Sequence, residues 1–206
     1  MQCSHRLIGR LAIAALALSA AASPAAAQTR GRGLELAVQV PSSISSEFDT
    51  TDVGLGGRAG WRPGGWLGVE AELNAYPLDF PGPGSFSAGR VEGLFGATIG
   101  RGHGGVRPFA RLRPGFMQFH AASDPFPCIA IFPPPLACTL AAGRTVFALD
   151  AGGGVEIDAT PRAFVRFDVG DLMLKYPGPS LDQRFERRDS FFGHDFRFAA
   201  GAGVRF

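Results

Sequence analysis

The chain has 206 residues, 18% charged and 46% hydrophobic, with a formal net charge of +2. That apolar and aromatic content excludes an intrinsically disordered chain. Twenty basic residues face 18 acidic ones without a long basic run, so nothing points to nucleic acid as a partner. Glycine (29) and proline (16) are scattered through the segments, which argues against a plain helical domain.

Residues 1–27 read as a secretory signal peptide. His5, Arg6 and Arg10 form a basic head, and Leu11–Leu18 is an apolar run too short to span a bilayer as a helix. Ala25, Ala26 and Ala27 satisfy the small-residue cleavage rule, which places the cut between Ala27 and Gln28 and leaves 28–206 as the mature domain. Cleavage removes Arg6 and Arg10 and no acid, so the mature chain carries 18 charges of each sign. An exported chain meets an oxidising compartment, and the two remaining cysteines, Cys128 and Cys138, are expected to form a disulfide.

From there on, period-two alternation recurs eight times, over 33–40, 52–61, 66–76, 88–101, 105–119, 144–157, 163–176 and 194–206. In the last of these, Phe196, Phe198, Ala200, Ala202, Val204 and Phe206 share one face, opposite Asp195, Arg197, Gly201, Gly203 and Arg205. Within 163–176 the phase slips at Gly170-Asp171, read as a bulge or as exit from the apolar zone. Tight turns are expected at 62–65, 102–104 and 158–162, and long loops at 41–51, 77–87, 120–143 and 177–193. Strands of about 9–11 residues, joined alternately by short turns and long loops, describe an eight-stranded antiparallel up-and-down transmembrane β-barrel.

The second face identifies its environment. It collects Glu35, Glu70, Glu72, Glu92, Asp150, Glu156, Asp168 and Asp195, and Arg58, Arg90, Arg107, Arg111, Arg113, Arg166, Arg197 and Arg205. Balanced charge, almost without lysine, suits a narrow lumen where each charge needs a partner and the planar arginine fork supplies it. Eight strands leave room only for side chains, so ion pairs rather than an open pore should fill the interior. Gly54, Gly56, Gly60, Gly152, Gly154, Gly201 and Gly203 share the inward parity and would give long side chains space. A soluble secreted barrel holding its ligand inside is the competing architecture, which membrane fractionation would separate.

These residues resemble the small outer-membrane β-barrel proteins of Gram-negative bacteria, of the OmpA-barrel or OmpX-like kind. The resemblance covers 28–206. It rests on Gly54–Trp61 with Trp66–Glu72, on Phe147–Glu156, on Phe164–Asp168 and on the terminal strand Phe198–Phe206. It implies a place in the cell outer membrane, with lipid or lipopolysaccharide and the barrel-assembly machinery as partners and Phe206 as the insertion signal. Members serve as tethers, adhesins, diffusion channels or lipid-modifying enzymes. No peptidoglycan-binding domain is read after the barrel, so a cell-wall tether is not expected.

Chemistry-bearing motifs are sparse. Gly54–Ala59 fits G-x-G-x-x-A, but Gly60, Trp61 and Pro63 follow, so no helix begins there to hold a pyrophosphate. His103 falls in a turn, and His120 and His194 at the outer ends of their strands. His120 with Ser123 and Asp124 is the local candidate for a lipid A acyl-transfer or deacylation site, an alternative to the expected non-enzymatic structural, adhesive or minor transport role. The loop 120–143, carrying Ile129, Ile131, Phe132 and Leu136, is read either as a contact surface for an extracellular protein or as a lid on the barrel mouth. No cofactor, metal site or catalytic residue is assigned.

Overall fold

Each alternating segment becomes a strand because its two faces meet different surroundings, and only an extended chain separates odd from even side chains so completely. The computed structural model describes residues 33–63, 65–78, 80, 89–122, 128, 131–182 and 186–206, all within one compact unit, Gly31–Phe206. The proposed cleavage site, Ala27 and Gln28, lies outside the described residues, as do Ser123 and Asp124.

The strands are β1 (Leu34–Ser45), β2 (Thr50–Val53), β3 (Leu55–Trp61), β4 (Leu67–Tyr76), β5 (Arg90–Gly100), β6 (Val106–Phe119), β7 (Thr145–Asp158), β8 (Ala163–Tyr176), β9 (Ser180–Leu181), β10 (Arg187–Arg188) and β11 (Phe191–Arg205). One short helix, α1 (Leu136–Ala141), lies between β6 and β7. Strands β1 to β8 and β11 pair antiparallel with sequence neighbours, and β11 returns to β1, from Glu35 opposite Arg205 to Ser45 opposite Asp195. Closure leaves no open edge, as a sheet in lipid requires.

β2 and β3 form a single barrel strand. Pro41 on β1 has no N–H to donate, and the ladder breaks opposite it at Gly54. Gly54 N–H donates to the Pro41 carbonyl at 2.8 Å, and the register is the same on both sides, Gln39 with Gly56 and Ser42 with Val53. The barrel therefore has eight strands. The barrel strands are joined by short connections, 62–66, 101–105 and 159–162, alternating with long ones, 77–89, 120–144 and 177–190.

One sequence expectation is corrected here, and the choice between two others is decided. The stretch 41–51 is not a long loop. β1 runs on to Ser45, β2 begins at Thr50, and a four-residue turn closed by Asp49 at φ 51° joins them. Serines of low hydrophobicity disguise a strand whose inward members, Ser43 and Ser45, are buried. Of the two readings of Gly170-Asp171, the bulge is excluded and exit from the apolar zone holds. The pairing of β8 with β7 and with β11 runs in constant register through both residues. What changes is the environment: beyond Gly170 the inward face becomes apolar with Leu172 and Leu174, and the outward face becomes polar at Asp171.

Candidate functional site

The inward side chains divide the lumen into levels. At the turn end, Glu35 accepts from Arg62 Nη1 at 2.7 Å and from Arg205 Nε at 2.9 Å. Glu156 accepts from Arg205 Nη2 at 2.9 Å and from Arg107, and Asp158 pairs with Arg205.

The centre is denser. Arg166 reaches Glu70 at 2.9 Å, Glu156 at 3.2 Å and Asp168 at 2.8 Å, with its guanidinium 3.9 Å from the centre of the Phe109 ring. Arg113 holds Glu70 at 2.9 Å, Glu72 at 2.5 Å and Asp150 at 2.8 Å. Arg111 donates to Asp150 at 2.7 Å and to Asp168. Arg197 joins Glu72, Glu92 at 3.1 Å and Asp150 at 3.4 Å, and Arg58 stands 3.9 Å from Asp168. Asn74 donates to both Glu72 and Glu92 at 2.6 Å and accepts from Gln39 at 2.9 Å. Charges this deep are tolerated because most are shared among several charge-assisted hydrogen bonds, which offset the loss of water.

Outward of this lattice, Arg90 pairs with Asp52 at 2.8 Å, its guanidinium 4.8 and 4.4 Å from the ring centres of Tyr76 and Phe80. Asp195 accepts from Ser43 at 3.2 Å.

Around and outward of these residues the lumen turns to hydrocarbon. Leu94, Met117, Phe119, Val146, Ala148, Leu172, Leu174, Tyr76 and Tyr176 form one buried cluster with Phe48, Phe80, Leu136 and Leu140. Phe48 comes from the β1–β2 turn, and Leu136 and Leu140 from α1, so the cluster closes the outer mouth. Leu181 N–H donates to the Pro134 carbonyl at 3.0 Å, tying the last loop to the segment entering α1. Cys128 and Cys138 are bonded, with their Cα atoms 5.9 Å apart. The segment 131–143 is thus both lid and surface: Leu136 and Leu140 point in, whereas Phe132 is 82% exposed. Ile129 lies outside the described residues.

All sixteen charged residues singled out from the alternation lie on inward positions. Fifteen make ion pairs; Asp195 makes none within the described residues and is held by Ser43 instead. Sequence reasoning missed Asp52, at the first position of the expected strand segment 52–61, and Arg62, assigned to a turn. The inward parity of Gly54, Gly56 and Arg58, followed back to Asp52, would have found the first. It also missed the inward rings Phe109 and Phe164, which take the space several glycines leave. A Cβ at Gly154 would lie 2.8 Å from Phe109, and one at Gly203 2.6 Å from Phe164. Arg205 in turn lies over Phe164, 4.5 Å from its centre.

The described histidines, His103, His120 and His194, take no common site. His120 Nδ1 lies 3.1 Å from the Gly89 carbonyl. His194 Nδ1 lies 2.7 Å from Asp171 Oδ2 on the exposed outward face, and the neighbouring Ser46 hydroxyl donates to the His194 backbone carbonyl rather than to the ring. His103 closes a turn bridge with Val106.

The outer surface is apolar around the barrel. Leu36, Val38, Val40, Leu73, Phe95, Ile99, Leu112, Phe116, Phe167, Phe196 and Phe198 are all exposed, a band far beyond what a water-soluble surface carries. A family model for the outer membrane protein beta-barrel domain matches residues 12–206. The chain belongs to that family. Its place is the outer membrane, with the apolar band in lipid and, as in such barrels generally, the short turns toward the periplasm. This outer-membrane barrel is similar in fold to Ail, the attachment invasion locus protein of Yersinia pestis, at 14% identity and a TM-score of 0.50 over 85% of this chain and 100% of that one. It is similar also to Neisserial surface protein A, at 13% identity and a TM-score of 0.50 over 84% of this chain and 96% of that one. No curated protein matches the chain. Trp61, Trp66 and Phe206 are exposed at the turn end, where aromatic residues mark the membrane boundary, and Phe206 N–H donates to the Leu34 carbonyl at 3.0 Å.

Proposed function

We propose that this barrel is a closed membrane platform with a structural and adhesive role, which displays its outer loops and does not conduct solutes. The observation that carries the reading is the lumen. Paired arginines and carboxylates fill its turn end and centre, and an apolar cap seated by α1 fills its mouth. A barrel closed in this way has its outer surface left for work. The disulfide holds the lid segment, and Phe132 stands out from it as the contact for an extracellular protein partner. Lipopolysaccharide surrounds the apolar band, and the assembly machinery acts on the strand ending at Phe206.

The test compares cells carrying the parent protein with cells carrying Phe132→Asp. Adhesion to host cells or matrix proteins should fall in the variant while the amount of folded barrel in the outer membrane stays the same. Equal adhesion by parent, variant and cells lacking the protein would overturn the adhesive role. A lipid A mass spectrum that differs between cells with and without the protein would favour the lipid-modifying alternative.

A further inference from the structure

Both cysteines of the Cys128–Cys138 bond lie in the connection between β6 and β7, outside every barrel strand. The bond therefore bears directly on one element, α1, which carries Cys138 between Leu136 and Leu140. This helix has little to hold it by itself. Its six residues fall well short of the roughly 12–15 that an isolated helix needs in water. Pro135 at its N-cap makes no side-chain hydrogen bond, and there is no acid in the first turn and no base in the last, so neither end is stabilised by capping or charge. Its other ties are the seat of Leu136 and Leu140 in the apolar cluster and hydrogen bonds within the loops. Leu181 N–H donates to the Pro134 carbonyl at 3.0 Å, and Ala122 N–H to the Ala141 carbonyl at 3.0 Å.

The cluster that α1 completes includes a continuous apolar wall. Met117 lies opposite Val146 across β6 and β7, and Ala148 opposite Leu174 across β7 and β8, all four buried and inward. The covalent lock is placed differently: Cys128 is exposed and Cys138 half-buried, so a thiol in the external medium reaches the bond without entering the barrel. We propose that the lid is a redox switch, in which an external thiol cleaves the disulfide, α1 lifts, and the apolar wall of the mouth is uncovered. In the first step a thiolate bonds to the exposed Cys128 sulfur, and the Cys138 sulfur leaves as a thiolate and takes up a proton. In the second, the sulfur of another reductant thiol bonds to that of the first, and Cys128 leaves and is protonated in turn. The protein gains two electrons and two protons, and two reductant thiols are oxidised to one disulfide. The ion-pair lattice takes no part, so the barrel stays folded while its mouth changes from a sealed surface to an open apolar one. The switch does not depend on an adhesive role, and either can fail alone.

Methionine oxidation reads the uncovering directly, because Met117 is 0% exposed within the cluster whereas Met173 faces outward on β8. The folded parent in lipid nanodiscs is reduced with dithiothreitol, its freed thiols are capped with methyl methanethiosulfonate, and the protein is exposed briefly to hydrogen peroxide. The untreated parent and a Cys128→Ser, Cys138→Ser double variant are run beside it. Met117 sulfoxide should form about ten times faster in the reduced protein and in the double variant than in the untreated parent, as a local opening requires. Met173 should oxidise at one rate throughout. Equal Met117 rates in the untreated and reduced parent would overturn the proposal. A rise at Met173 as large as that at Met117 would show the whole barrel loosening rather than a lid lifting, and would overturn it too. So would a folded double variant in which Met117 is as slow as in the untreated parent, since the rise would then belong to the capping reagent.

Discussion

At the level of Arg113 the lumen is a lattice of guanidinium and carboxylate groups; a short way outward, at Leu172, it is hydrocarbon. Both levels exclude solvent, but by different physics. The lattice depends on charge matching, since each group is tolerated only while its partners are present. The cap depends on volume, since its groups have no polar requirements and lose energy only when contacts or area are lost. The two levels should therefore fail differently.

The largest expected effect is at the lattice. Arg113→Ala leaves Glu70, Glu72 and Asp150 short of a counter-charge, and should cost about 3–5 kcal/mol, the range for a broken buried ion pair. Urea unfolding in lipid vesicles measures it. Arg113→Met, which restores volume but not charge, should recover little of the loss; a full recovery would show that packing, not pairing, governs the centre.

In the cap, Leu172→Ala should cost about 2–4 kcal/mol through the cavity it leaves. Here Leu172→Met should recover most of the loss in the same unfolding assay. Opposite behaviour of the two methionine variants is the sharpest form of the comparison.

Cys138→Ser should act on the lid more than on the barrel. The bond closes a short loop, with a sequence separation of 10, so its entropic contribution is roughly 3 kcal/mol at most. Limited proteolysis should cut the 131–143 segment faster while the barrel midpoint moves little. Thiol labelling of the unreduced, denatured parent should find neither Cys128 nor Cys138 free.

The smallest effect concerns pH at the loop end. Burial raises the Glu47 carboxyl above its ordinary 4.5, with Arg188 opposing the shift and the Asp182 carboxylate adding to it. A carboxyl raised on folding contributes stability that is fully present below the unfolded value and is lost as pH rises through the folded one. The outer loops should accordingly resist protease slightly better near pH 4 than near pH 7, once protease activity is normalised at each pH. Glu47→Gln should remove most of that difference; a difference of the same size in the variant would assign the dependence to another group.

The fold was legible because alternation is a strong local signal. The inward parity of Glu70 and Glu72, of Arg111 and Arg113, and of Arg166 and Asp168 can be read directly, and closure follows from the strand count. What was obscured follows from a change of environment along a strand. Beyond Gly170 the inward residues are Leu172 and Leu174 and the outward one is Asp171, so a reader who keeps apolar residues outside sees a slip where the register is constant. The cap was hidden for the same reason: its strand members look like lipid-facing residues, and Phe48, Leu136 and Leu140 come from turns and loops whose paths alternation does not describe. The outer end of β1 was lost because Ser42, Ser43 and Ser45 lack the greasy character that marks the other strands.

Planar-bilayer recording tests the closed lumen most directly. It should be made on the parent and on a variant with Leu136→Asp and Leu140→Asp, which cannot seat α1 in the mouth. If the ion-pair lattice seals the barrel by itself, neither protein gives a steady large conductance. A steady conductance from the variant alone would place the seal in the cap, and one from the parent would contradict a filled lumen altogether.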